Sequence, residues 1–199
     1  LKNPEECLIL IRMSNMKMPI LLMLLFLLVP AHGGVQARSI SAGRALTVDS
    51  TNIAVYFSPH GGCTEAVVEA LDSAKSEILV QAYSFTSAPI AKALVEAHKR
   101  GVNVEVILDR SQRTERYSSA DFLAHAGIPT YIDAAHAIAH NKVMVVDRST
   151  VITGSFNFTK AAETRNAENL LVIKSGDLAY EYRQNWYRHL KHSERYWGR

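Results

Sequence analysis

The chain has 199 residues and a formal net charge of +3, too weak to argue for polyanion binding by bulk electrostatics, so any affinity for phosphate must be local. Its two cysteines, Cys7 and Cys63, exclude a disulfide framework and a cysteine-based zinc site. Cys63 reads as a small buried apolar residue, with a cross-subunit disulfide as the lesser alternative.

The chain opens at Leu1, and Met13, Met16 and Met18 stand just ahead of an apolar run from Ile20 to Val29, so the first residues read as an over-extended translation. Lys17, the run itself, Pro30 and Val35-Gln36-Ala37 have the order of a secretory leader with its cleavage site. The run is about half of the roughly 20 residues a membrane-spanning helix needs. Residues 1–37 are therefore expected to be a cleaved leader, 38–52 a mobile polar stretch, and 53–199 one catalytic domain of an exported, periplasmic or secreted protein. Removing the leader lowers the net charge by one.

In chain order, Ile53 to Ser58 predicts a strand, punctuated by Pro59-His60-Gly61-Gly62. Thr64 is expected to cap a helix with Val67, Ala70, Leu71 and Ala74 at helical spacing. Glu77 to Phe85 predicts a strand. Pro89 suits the first turn of a second helix that buries Ile90, Leu94 and Ala97 and ends at Gly101. Asn103 to Asp109 predicts a third strand, so the first half reads as parallel β-α-β units.

Further on, Ser119 to Ala126 predicts a short helix and Ile128 to Asp133 a strand. Val143 to Asp147 and Val151 to Thr153 predict a hairpin turning at Arg148-Ser149. Asn169 to Ile173 predicts another strand. The last helix, from about Asp177 to Leu190, is expected to bury Leu178, Tyr182, Trp186 and Leu190.

The informative stretch is HNKVMVVDRSTVITGSFN, with His140, Lys142, Asp147, Gly154, Ser155 and Asn157. With each fixed residue used very roughly one time in twenty, this spacing arises by chance on the order of once in 10⁵ sequences, so it is a specific signal. His140 and Lys142 are two apart, as are Ser155 and Asn157, and each pair leaves one face of an extended segment. With an even-numbered hairpin loop, Lys142 would lie opposite Ser155 and His140 opposite Asn157.

Such a cluster suits phosphoryl transfer, which needs positioning and stabilisation of charge on the non-bridging oxygens. Lys142 supplies positive charge, Asn157 donates from its amide, and Ser155 donates to a phosphate oxygen or orients a neighbour. An imidazole is neutral in a useful fraction near pH 7, so His140 can attack phosphorus. Asp147, at the far end of its strand, is expected to hold the hairpin turn, and Gly154 to permit close backbone approach or a bulge.

The H-x-K-x4-D-x6-G-S-x-N spacing resembles the phospholipase D superfamily, and SPHGGCTEAVVEALDSAKSEILVQAYSFTSAPIAKAL is similar to its small single-motif bacterial endonucleases. The resemblance implies an α/β domain with a mixed sheet flanked by helices, a covalent phosphohistidine, and no cofactor. It also implies Glu168, in NAENLLVI, as the acceptor that orients His140. His189-Leu190-Lys191 starts no second motif, because Tyr196 stands at the aspartate position. One motif per chain implies a homodimer, in which the partner's His140 protonates the leaving oxygen.

His60, His98, His125, His136, His189 and His192 read as surface or helix-end residues. His136 and His140, four apart, hint with Asp133 at a metal site, but no further ligand has suitable spacing, and Lys142 puts a positive charge where a cation would sit. No metal is expected there. Tyr83 and Phe85 read as core residues of a strand. Arg110, Arg113 and Arg116 read equally as a solvated face or as phosphate contacts; Lys160 and Arg165 are better candidates for a DNA track. The expected activity is metal-independent cleavage of DNA or RNA with little sequence preference. A phospholipid phosphodiesterase or transphosphatidylase of the same fold, and a non-catalytic nucleic-acid-binding module, are the alternatives.

Overall fold

The computed structural model describes residues 52–199; the expected leader and nearly all of the stretch up to 52 lie outside them. The domain is built on an eight-stranded mixed sheet with the order β1-β7-β6-β5-β2-β3-β4-β8. Its strands are β1 (Ile53–Ser58), β2 (Glu77–Ala82), β3 (Asn103–Asp109), β4 (Thr130–Asp133), β5 (Lys142–Val146), β6 (Thr150–Gly154), β7 (Glu168–Lys174) and β8 (Glu194–Tyr196). Strands β2, β3 and β4 run parallel, as their connecting helices require, and the other pairs are antiparallel.

Helices α1 (Cys63–Ser73), α2 (Ala88–Lys99), α3 (Ala120–His125) and α4 (Lys160–Thr164) fall between strands, and α5 (Gly176–Leu190) precedes β8. Central strand β2 is buried at every position, which explains its apolar run ILV. On one face Ile78, Val80, Val106 and Met144 join the buried stripes of α1 and α2 in the larger core. On the other, Leu79, Ile107, Val145 and Val151 pack with Trp186 of α5. Burying a side chain of that size contributes about 2–3 kcal/mol.

Polar anchors fix α5 in place. Trp186 Nε1 donates to the Val80 carbonyl at 2.8 Å, and Arg183 donates to both oxygens of buried Glu77 at 2.7 and 3.0 Å. This bidentate geometry satisfies a carboxylate that would otherwise be costly to bury.

Three local expectations are corrected. Gly62, in the left-handed region, occupies the α1 N-cap in place of Thr64, and the Thr64 N–H is met from α4 by Glu163 Oε2 at 2.7 Å. Strand β2 ends at Ala82, three residues earlier than expected, because the chain bends there and Phe85 bridges to Phe158. The edge strand β8 carries no apolar alternation and was not legible in the sequence.

Candidate active site

The motif lies where neighbouring strands end together. Ala82 closes β2 beside Lys142, which opens β5; Gly154 closes β6, and Glu168 opens the adjoining β7. Loops leaving this end of the sheet carry His140, Ser155 and Asn157.

The hairpin between β5 and β6 differs from the expected one. Its loop is Asp147-Arg148-Ser149, an odd number, with Asp147 and Arg148 at positive φ of 49° and 58°. Val146 pairs with Thr150 and Val143 with Thr153, so the register sets Lys142 beside Gly154 rather than Ser155. The expected pairing of His140 with Asn157 fails for the same reason.

A β-bulge follows immediately. The N–H groups of Ser155 and Phe156 both donate to the Asn169 carbonyl, at 3.1 and 3.2 Å. Gly154 is required for this close approach, since a Cβ there would lie 2.2 Å from the Asn169 oxygen. After the bulge, Phe156 and Phe158 are fully buried.

Asp147 has the expected structural role. Its carboxylate accepts from the backbone N–H groups of Lys75, Ser76 and Glu77 at 2.9, 2.7 and 3.1 Å, and from the Ser76 hydroxyl at 2.9 Å. Burial pushes its carboxyl up, but these donors prevail and hold it below the usual carboxylate range. It clamps the hairpin to the start of β2, remote from His140.

His140 is exposed, whereas Lys142 is buried. Lys142 Nζ donates to the His140 carbonyl at 2.9 Å and lies 5.1 Å from the centroid of the Tyr83 ring. That ring packs against the His140 imidazole at 4.6 Å. Burial lowers the Lys142 ammonium from its ordinary range, and the charge of Glu168 opposes the shift. Tyr83 therefore belongs to the site and not, as its alternation with Phe85 suggested, to the core of a strand. Phe85 is core as expected.

The remaining motif residues have separate partners. Ser155 Oγ accepts from the Asn169 N–H at 3.0 Å and from its side-chain amide at 3.3 Å. The Asn157 side-chain oxygen is buried and accepts no hydrogen bond among the described residues. Glu168 Oε1 accepts from Asn166 Nδ2 at 3.1 Å, and among the described residues no hydrogen bond joins Glu168 to His140 of the same chain.

Of the basic residues, Arg113 is committed to an ion pair with Glu194 at 2.6 Å. Arg110, Lys160 and Arg165 are exposed and form no ion pair among the described residues. Cys63 is fully buried, which removes it from cross-subunit disulfide chemistry. His136, His189 and His192 are not independent surface residues: they converge on buried Asp133, without His140. His189 and His192 come from more than 50 residues downstream, so spacing around His136 could not have found them.

An exposed imidazole beside a buried ammonium, with a motif hydroxyl and amide in the loop that follows β6, is the equipment of a histidine-dependent phosphodiesterase. The family model described as cardiolipin synthase, PLD-like domain, matches residues 67–190. The chain belongs to this phospholipase D-like family and is a hydrolase acting on phosphodiester bonds.

The relatives include Phospholipase D of Rickettsia typhi, 45% identical over 136 residues that cover 68% of this chain and 67% of that protein. The mitochondrial cardiolipin hydrolase of Danio rerio is 32% identical over 131 residues, 64% of this chain and 58% of that one. Among solved structures, Nuc of Salmonella typhimurium, a phospholipase D family member, is 44% identical with a TM-score of 0.70, covering 72% of this chain and 97% of that one. NucT from Helicobacter pylori, at 21% identity and a TM-score of 0.68 over 72% of this chain and 98% of that one, shares the fold.

Proposed function

We propose that the chain is an exported, metal-independent endonuclease that cleaves DNA, and RNA by the same chemistry, with little sequence preference. The observation that carries this reading is the exposed His140 imidazole at an open surface. A polymer backbone can reach such a site, and exposed Arg110, Lys160 and Arg165 offer charge to neighbouring phosphates. The likeness to Nuc across nearly the whole of that chain supports the same choice.

On this reading His140 attacks phosphorus, the P–O bond to the leaving oxygen breaks, and a phosphohistidine forms that water then hydrolyses. Lys142 and Asn157 bear the charge on the non-bridging oxygens. A second acid must protonate the leaving oxygen, and with one motif per chain it is His140 of a second copy. Glu168, unbonded to its own His140, is then available to orient the partner's. Val55 and Phe57, exposed on edge strand β1, offer an apolar row for that contact; Phe57 pairs in register with Asn169, which holds Ser155.

A phospholipid phosphodiesterase is the second reading, favoured by the name of the Rickettsia relatives. Such an enzyme needs an apolar acyl groove beside the reacting phosphate, and turnover of lipid vesicles is the direct test of one. The test is hydrolysis by the full chain of plasmid DNA, and of phosphatidylcholine or cardiolipin vesicles, in a chelator. Nicking of DNA without lipid turnover, lost in His140→Asn, is expected. Lipid turnover alone, a requirement for added divalent metal, or normal DNA cleavage by His140→Asn would each overturn the proposal. The last of these is also the outcome expected of a different site.

A further inference from the structure

Away from His140, one carboxylate is surrounded by three imidazoles. Asp133, fully buried at the end of β4, directs Oδ2 at His189 Nδ1 (2.8 Å), His136 Nδ1 (3.1 Å) and His192 Nε2 (3.3 Å). The four donor atoms all lie within 4.8 Å of one another. We propose that Asp133, His136, His189 and His192 form a structural zinc site that fastens the C-terminal helix and the catalytic loop to the sheet.

The geometry carries this assignment. A tetrahedral zinc ion has ligand bonds of about 2.0–2.1 Å, which place neighbouring donor atoms roughly 3.3–3.4 Å apart. The three distances from Asp133 Oδ2 approach that separation, and the imidazole nitrogens, within 4.8 Å of one another, reach it by rotation of side chains of which two are part exposed. The other carboxylate oxygen, Oδ1, is held by the Ala135 N–H at 3.1 Å. That bond orients the carboxylate and leaves Oδ2 for the metal, as supporting hydrogen bonds do around bound ions.

The ligand set selects the class of metal. Three imidazole nitrogens and one carboxylate oxygen suit zinc and related borderline ions, whereas calcium and magnesium favour all-oxygen shells. The ligands form two short chelating pairs, Asp133 with His136 and His189 with His192, each three residues apart. Side chains of His136 and His192 are 44% and 37% exposed, which gives an ion a route from solvent.

The site is separate from the chemistry. From Lys142 the sheet register runs through Ala82 and Leu108 to Ile132, three strand spacings of about 4.8 Å, or roughly 14 Å. Asp133 shares its face of β4 with Tyr131, which packs towards α5. Lys142 alternates with Met144 and Val146 on the opposite face. The link between the sites is the segment from Asp133 to His140, pinned next to His140 by the Ala139 N–H, which donates to Asp109 Oδ2 at 2.7 Å. Zinc would tie the start of that segment to the end of α5.

The test is zinc titration of the full chain after dialysis against a chelator, with elemental analysis and thermal melting. The expected result is a single tightly held zinc ion per chain, and a melting temperature raised by roughly 5–10 °C at free zinc about a hundredfold above the dissociation constant. Magnesium and calcium should do neither. The double variant His136→Gln/His192→Gln alters the two more exposed ligands and leaves Asp133 and His189 to pack. It should lose at least a hundredfold in zinc affinity, with the metal-free melting temperature little changed. Absence of zinc uptake by the unaltered chain, or equally tight binding by the double variant, would overturn the assignment.

Discussion

Lys142 holds the main chain of the residue it is proposed to assist: its Nζ donates to the His140 carbonyl at 2.9 Å, beneath a Tyr83 ring that packs against the imidazole. One ammonium thus fixes the backbone of the proposed nucleophile, and in the proposed reaction it also bears charge from the phosphate. Lys142→Met should reduce kcat by about 10²–10³ or more, the magnitude associated with removing a charge-stabilising donor. Because burial lowers the Lys142 ammonium, the alkaline fall in kcat should begin below the pH of an ordinary lysine. A pH–rate profile checks this.

Tyr83 contributes its ring and not its hydroxyl, for which no partner exists among the described residues. Tyr83→Phe should keep near-normal activity, and Tyr83→Ala should lose roughly 2- to 30-fold in kcat/KM, the equivalent of a cation–π contact of about 0.5–2 kcal/mol. Steady-state kinetics on DNA compare the two.

Asp147 acts on stability. Asp147→Ala removes four hydrogen bonds to a charged acceptor and should lower stability by about 2–3 kcal/mol, with kcat retained below the melting range. The sign with pH follows from its depressed carboxyl. Its contribution is fully present above the unfolded value of about 3.9 and is lost as pH falls through the lower folded value. Denaturant titrations of both proteins from pH 6 to pH 3 should show the difference between them shrinking.

The thiol of Cys63 is pushed up to about 11, first by burial and then by the charges of Glu163 and Glu65. Native protein should resist alkylation at neutral pH and react only on unfolding, and a non-reducing gel should show no linked dimer. Mass spectrometry after iodoacetamide treatment reads the first outcome.

The sequence made the strands and helices legible wherever the pattern of burial was local. The apolar run of β2 and the stripe of α5 were readable for that reason. The roles of Asp147 and Gly154 were readable too, because position within the motif constrained them. The odd-numbered loop was not, since it depends on left-handed residues at Asp147 and Arg148, and neither was the partner of the bulge expected at Gly154, since Asn169 comes from the next strand. Tyr83 was misplaced because β2 stops one residue before it. The grouping around Asp133 was hidden because the end of α5 and the turn after it supply half of it, from more than 50 residues downstream.

The shared active site is tested most directly by light scattering coupled to size-exclusion chromatography, with nuclease activity measured on every fraction in a chelator. Activity confined to a species of twice the chain mass, with specific activity falling as dilution separates the chains, is the expected result. Full specific activity in the monomer fraction would contradict the requirement for two copies of His140.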